Sequence, residues 1–303
     1  MEYLENNKYV VPTVDTIVVN DADEVLLVLR HKEPSKGKWV LPGGRIDVED
    51  MSAPVAAVRE VQEETGLDVE ITSFMGVYAD PTRDSRFHAV STVYVGSVVG
   101  GKIQVQEGET DAVQFFSLDQ LPDIGFDHKH IIEEYIAGRE KGCLPAYDDR
   151  TLSVYGKEWQ AEGYQAKAEY IHVAVDTIVR NTEGKILWTY RAKRWCTNTW
   201  ILPGGHMKVG EDIAETSARE VWEEAGVKIT FDRVLATLYG PYRNPHHPAL
   251  TVLCVATLTE EAPFAENIEV LKRQWASIEE TPDPIGFDCE KMMTYYQLYL
   301  RSN

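Results

Sequence analysis

Glu220, Glu223 and Glu224 stand at i, i+3 and i+4 of a stretch in which Ala218, Val221, Trp222 and Ala225 recur at helical spacing. On a helix those three carboxylates share one face, with the apolar set as the buried stripe. Like charges one turn apart repel by about 0.2–0.5 kcal/mol per pair. A hard divalent cation such as magnesium reverses that sign, because it takes several carboxylate oxygens at once. A solvated acidic face is the competing reading. Two features favour the metal. The run follows Leu202-Pro203-Gly204-Gly205 at fixed distance, and the arrangement occurs twice, with Glu60, Glu63 and Glu64 behind Leu41-Pro42-Gly43-Gly44.

The elements that must position these groups are themselves repeated. Val14-Asp15-Thr16-Ile17-Val18 returns as Val175-Asp176-Thr177-Ile178-Val179, and Ile124-Gly125-Phe126-Asp127 as Ile285-Gly286-Phe287-Asp288. The pairs Asp15 and Asp176, Gly44 and Gly205, and Phe126 and Phe287 are each 161 residues apart, a period that means a duplicated domain rather than a solenoid. The expected boundaries are 8–140 and 169–303, with a linker over 141–168 whose Leu152, Tyr155, Trp159 and Tyr164 are expected to pack on a domain. Each copy opens with two β-branched runs, split by Asn20-Asp21-Ala22-Asp23 or Asn181-Thr182-Glu183-Gly184, a hairpin signal. Asp212 with Glu215 predicts a capping box at the start of the second acidic helix, and Gly226 a left-handed stop. Asp127 and Asp288 are expected N-caps of a last helix in each copy. Phe126 with Ile131, and Phe287 with Met292, occupy the staple positions around them.

Composition narrows the function. The 303 residues carry 30 Lys and Arg against 49 Asp and Glu, a net charge of −19. That argues against a binder of the nucleic-acid backbone, which needs a basic face, but not against a phosphate substrate carried by a metal. Cys143, Cys196, Cys254 and Cys289 form neither a disulfide framework nor a zinc spacing, so a reducing, cytoplasmic compartment is expected. The first residues lack the basic start and apolar run of a secretory signal. No stretch approaches the roughly 20 apolar residues of a membrane span.

Gly205, five residues, Glu211, seven residues, then Arg219-Glu220-Val221-Trp222-Glu223-Glu224-Ala225-Gly226-Val227 resembles the Nudix box at every fixed position. The first copy reads Gly44, Asp50, then Arg59-Glu60-Val61-Gln62-Glu63-Glu64-Thr65-Gly66-Leu67. It has one extra residue before the helix, and Asp50 in place of the first Glu. The resemblance implies an α/β fold of two tandem α/β/α sandwiches with mixed central sheets. It implies hydrolysis of a nucleoside diphosphate linked to another moiety, with magnesium as cofactor and manganese as a substitute. Carried over, Gly44, Glu60, Glu63 and Glu64, and Gly205, Glu220, Glu223 and Glu224, become metal ligands, the glycines through their carbonyls. Arg59 and Arg219 orient the helix carboxylates. Glu109 and Glu269, each six residues before an aromatic strand start, become the general base or a further ligand, with Glu107, Asp111 and Glu266 as alternatives.

The segments Gly76–His88 and Leu121–His128 resemble microbial ADP-ribose pyrophosphatases, and Pro81 and Pro241 each follow the box by the same interval. On that resemblance Arg83, Arg86 and Arg243 hold a terminal phosphate and Tyr78 or Tyr239 stacks a base. Loop packing and surface charge are the competing reading. His128, His246 and His247 read as ordinary polar residues. The expected reaction is ADP-ribose to AMP and ribose 5-phosphate. The alternatives are a nucleoside triphosphate or NADH-type dinucleotide as substrate, or a ligand-sensing module with one or both sites non-catalytic. The expected partner is a small nucleotide, with neither nucleic acid nor membrane involved. The duplication allows either a monomer whose domains form a pseudo-dimer or a homodimer.

Overall fold

The strand Val10-Val11-Pro12-Thr13-Val14-Asp15-Thr16-Ile17-Val18-Val19 is buried along almost its whole length, as expected of a strand covered on both faces. The computed structural model describes residues 9–141, 170–192, 196–240 and 248–302. By contacts the described residues form two units: those up to 171 with 239, 240 and 248, and the remainder.

In the first unit the order is β1 (Val10–Val19), β2 (Glu24–Arg30), β3 (Trp39–Val40), β4 (Gly43–Arg45), α1 (Ala53–Thr65), β5 (Leu67–Tyr78), β6 (His88–Gly101), β7 (Thr110–Ser117) and α2 (His128–Glu140). In the second it is β8 (His172–Arg180), β9 (Ile186–Arg191), β10 (Trp200–Ile201), β11 (Gly204–His206), α3 (Ile213–Ala225), β12 (Val227–Leu238), β13 (Ala249–Glu261), β14 (Val270–Ala276) and α4 (Cys289–Ser302). The first sheet runs β3-β2-β1-β6-β5, with β7 on β2 and β4 on β1; the second repeats this with β10-β9-β8-β13-β12. The central pairs β1–β6 and β8–β13 are parallel and the others antiparallel, so both sheets are mixed. The hairpin signal holds: Asn20 Oδ1 accepts the Ala22 and Glu24 amides, and Asn181 Oδ1 those of Glu183 and Lys185.

Each sheet has a core on both faces. In the first unit Val18, Leu26, Leu67 and Val69 bury Val61 of α1, while Ile17, Leu27, Val93 and Val95 bury Ile131, Ile132 and Tyr135 of α2. In the second, Val179, Leu187 and Val227 take Val221 and Ala225, and Ile178, Trp188 and Leu253 take Met292, Met293 and Tyr296. These are the expected α/β/α layers.

β1 meets β2 at Val19 and Val25, and farther back its edge pairs with β4, at Thr13–Arg45, Val14–Gly44 and Asp15–Gly43. That wedge sets the double glycine against the acidic helix. The linker expected over 141–168 lies outside the described residues beyond Lys141, and its four aromatic and leucine contacts cannot be placed with it.

Candidate active site

Helix α3 begins as read. Asp212 accepts the Glu215 amide at 2.7 Å, Glu215 accepts the Asp212 amide at 3.0 Å, and Gly226 ends the helix at φ 64°. α1 starts instead on Ser52, which accepts the Val55 amide at 3.4 Å, with Pro54 in its first turn. The buried face of α3 differs from the expected stripe. Trp222 is 45% exposed with the Lys228 ammonium over its ring, and Ala218 is exposed. Glu224 turns inward and takes part of the apolar face, so the buried positions shift to Ile213, Thr216, Ser217, Val221, Glu224 and Ala225.

That inward carboxylate is tied to the glycine strand. Glu224 accepts the Gly204 amide at 3.2 Å, and Glu64 accepts that of Gly43 at 3.0 Å. The glycines are demanded by close approach. A Cβ on Gly44 would stand 2.5–2.6 Å from the Glu60 carboxylate, and one on Gly205 2.6–2.7 Å from that of Glu220. A Cβ on Gly43 or Gly204 would strike the carboxylate of Asp15 or Asp176.

One arginine per copy organises the face. Arg219 Nε and Nη2 grip both oxygens of Glu211 at 2.6 and 2.8 Å, and Nη1 donates to Glu220 at 2.5 Å and Glu223 at 3.2 Å. Arg59 does the same with Asp50 at 3.0 and 2.8 Å, Glu60 at 2.8 Å and Glu63 at 3.2 Å. Each also donates to the carbonyl just past the double glycine, of Arg45 or His206. The extra residue of the first copy thus makes up for the shorter Asp50, and the two forks match atom for atom.

Electrostatically, burial dominates at both sites despite the arginines beside them. Burial pushes the Glu64 and Glu224 carboxyls up to about 8, outweighing the glycine N–H that each accepts. Burial also raises Glu60 and Glu220 against the pull of Arg59 and Arg219. A pair of desolvated carboxylates beside a more exposed third, facing a glycine backbone with no room for a side chain, is a hard-oxygen donor set. Among the described residues no three such groups already stand together at coordinating distance, but oxygens of this kind are the donors a magnesium-type ion takes.

A cleft of about 350 Å³ opens over the first site, lined by Gly44, Glu60 and Glu64 on one side and by Arg83, Arg86 and Phe87 on another. The Tyr78–His88 segment therefore faces the acidic helix, but its arginines are differently engaged. Arg83 is only 6% exposed and forks onto Asp127 at 2.8 and 2.9 Å, with Asp15 at 3.4 Å. Asp127 accordingly makes no capping bond at the start of α2, where it was expected to cap; its oxygens are taken by Arg83. Arg86 pairs with Asp84 at 2.7 Å, is 45% exposed and reaches the cleft. Tyr78 donates its hydroxyl to Glu134 at 2.6 Å, with its ring against the first core. Glu109 lines the cleft and pairs with Lys32 at 3.5 Å, whereas Glu269 is exposed ahead of β14. Tyr239 is buried at 7% exposed and groups with the first unit. Arg243, His246 and His247 lie outside the described residues.

Several cleft residues carried no short-range signal. Arg30 lies over the Phe126 ring at 5.1 Å, and Arg45 over Phe87 at 4.8 Å. Among the described residues neither guanidinium has an ion-pair partner, so both present N–H edges from aromatic supports. Phe126 holds its place in the left-handed region at φ 52°, as does Phe287 at 51°, with Arg191 over its ring. Phe126 also lines the cleft, a place its staple position in the sequence does not announce. His128, expected to be unremarkable, lines the cleft buried; its Nδ1 accepts the Leu41 amide at 2.9 Å, and burial lowers its pKa. The one available hint was repetition: Asp15, Arg30 and Phe126 recur as Asp176, Arg191 and Phe287.

The NUDIX domain family model matches residues 10–135 and 170–295. An ADP-ribose pyrophosphatase of Methanocaldococcus jannaschii is 40% identical over 123 residues, covering 41% of this chain and 71% of the relative. A putative 8-oxo-dGTP diphosphatase of Bacillus subtilis is 38% identical over 106 residues, covering 35% and 66%. Among solved structures, the NUDIX domain of Shewanella oneidensis NrtR complexed with ADP ribose aligns at 30% identity over 46% of this chain and 96% of that one, with a TM-score of 0.40.

Proposed function

The chain belongs to the Nudix family in both halves and is a pyrophosphohydrolase, and from that premise we propose that it hydrolyses ADP-ribose to AMP and ribose 5-phosphate with magnesium. The observation that carries the reading is the doubled Arg–carboxylate helix wired to a double glycine, over which the first cleft sets two guanidiniums on aromatic supports. Magnesium or manganese, when bound, would neutralise the diphosphate and lower the pKa of the attacking water. Glu60, Glu63 and Glu64 would hold it in the first copy and Glu220, Glu223 and Glu224 in the second, with the Gly44 and Gly205 carbonyls as further ligands.

The remaining work belongs to this chain. Arg59 and Arg219 keep the carboxylates in one orientation before substrate arrives, which lowers the reorganisation needed in the transition state. Arg30, Arg45 and Arg86 take phosphate oxygens of the substrate along the cleft wall. Phe87 and Phe126 offer flat faces beside them. In this reading Glu109 and Glu269 accept the proton of the attacking water as the P–O–P bridge opens. AMP and the sugar phosphate each leave with an oxygen of the old anhydride or of that water. We assign the domains to 8–140 and 169–303.

The test is a turnover panel with magnesium: ADP-ribose, a deoxynucleoside triphosphate and a reduced nicotinamide dinucleotide. Preferred release of AMP and ribose 5-phosphate from ADP-ribose supports the reading. If ADP-ribose is inert while the triphosphate is cut, the substrate assignment falls to the relationship with the diphosphatase. Tight binding of ADP-ribose without cleavage points to a sensor.

A further inference from the structure

The last turn of α3 leaves the carbonyls of Glu223, Glu224 and Ala225 without partners inside the helix, as every helix end does. In the second unit side chains from the β13–β14 region meet them. Asn267 Nδ2 lies 3.3 Å from the Glu223 carbonyl and 3.5 Å from that of Glu224. Arg273 donates to Ala225 and, at 2.8 Å, to Ala262. The other end of the Asn267 amide faces the opposite way. Its Oδ1 accepts the Glu269 amide at 2.9 Å and the Val270 amide at 2.8 Å, while its own N–H donates to Val270 at 3.0 Å. The Glu269 carbonyl is fixed in turn by the Ala192 amide at 2.8 Å.

One side chain thus joins the backbone of Glu269 to the backbone of the two residues that supply Glu223 and Glu224. The first unit is built otherwise. There Gln104 and Lys102 reach the end of α1 through their backbone amides, at Thr65 and Gly66. By the strand register, which pairs Leu27 with Gln114 and Trp188 with Gln274, the counterpart of Asn267 is Glu107, whose carboxylate cannot donate to a carbonyl.

We propose that Asn267 is a positioning residue of the second site: it clamps Glu269 to the end of the carboxylate helix, so that the loop acid and the helix carboxylates move as one body. This rests on the reading of Glu269 as the proton-accepting acid. The two halves of the amide have separable roles. Oδ1 forms a local turn that aspartate would form equally well. Nδ2 makes the connection to the helix, which aspartate cannot make, and a negative charge there opposes the helix dipole.

The experiment uses the full chain with the first site silenced by Glu63→Gln and Glu64→Gln, magnesium, and ADP-ribose as probe. Asn267→Ala and Asn267→Asp should each lower kcat about 10-fold with KM changed less than about threefold, since a misplaced acid affects the chemical step rather than binding. Melting temperatures report whether either variant has merely lost structure. In a Glu269→Gln background, Asn267→Ala should cost almost nothing further, because its effect runs through Glu269. An Asn267→Asp enzyme with the parental kcat overturns the proposal, showing that the turn alone matters. So do losses that multiply in the double variant. A Glu269→Gln enzyme at full rate removes the acid and the clamp's purpose together. If the parent cuts nothing, the functional reading has failed, and amide hydrogen exchange over 264–270 still decides the clamp. Exchange should speed up in Asn267→Asp; unchanged exchange overturns it.

Discussion

Arg83 and Arg86, three residues apart, are assigned different work by their surroundings. With Arg83 removed, Asp127 would lose both guanidinium bonds and the buried Asp15 its cation, leaving it Ser91 and His128, a loss of about 3–5 kcal/mol for a broken buried pair. Urea unfolding of Arg83→Ala should show that loss in the first unit. Arg86 is the half-exposed partner of a buried Asp84, which keeps the backbone amide of residue 86 as a donor, so Arg86→Ala should cost about 1–3 kcal/mol, less than Arg83→Ala. The kcat/KM of Arg86→Ala on ADP-ribose, with the second site silenced, should fall about 10-fold, as for one charge-assisted contact. The carboxylates give a pH prediction. Glu64 and Glu224 sit at about 8 in the fold against 4.5 outside it. A raised acid stabilises the fold fully below the unfolded value, and the contribution is lost as pH climbs through the folded one. Magnesium binds the ionised form, so the melting-temperature rise it produces should be larger at about pH 9 than at about pH 6. Equal rises at both would contradict the donor assignment. At this scale the sequence was legible where function lies within one turn or one box: the carboxylate triads, the double glycines and the organising arginines. It was silent on Arg30, Arg45 and the fate of Arg83, because their partners come from other strands and loops across the fold.

Helix starts show how two copies of one element diverge. Both oxygens of the α3 capping box are used, so Asp212→Ala should destabilise the second unit by about 1 kcal/mol. Ser52→Ala in α1 should cost about half that, since its bond is 3.4 Å long and Pro54 already presets the first turn. Equal losses in urea unfolding would argue against the capping difference. The box, the glycine stop and the hairpin asparagines were all readable, because each is a local contest for backbone donors and acceptors. The buried face of α3 was not. Apolar periodicity put Trp222 beside Val221 and Ala225 inside, but the buried stripe is rotated to the other flank of Val221, where Glu224 accepts the Gly204 amide. A tertiary demand displaced the larger ring into solvent. Asp127 shows the same override, its capping role yielding to a buried guanidinium.

The duplication gives one chain two carboxylate helices with matching arginine forks, and the structure makes Asp50 with its extra residue equivalent to Glu211. Periodic repetition at 161 residues made this plan legible from the sequence alone, while the side-chain supports that distinguish the copies, such as the Arg45–Phe87 stack in the first and the Asn267 clamp in the second, appear only in the folded chain. Both sites are therefore expected to turn over. The most direct measurement is the rate of AMP release from ADP-ribose with magnesium by four proteins: the parent, Glu63→Gln with Glu64→Gln, Glu223→Gln with Glu224→Gln, and all four substitutions together. Partial activity in each pair variant and none in the fourfold variant is the predicted result; a fourfold variant that still releases AMP at the parental rate would contradict it.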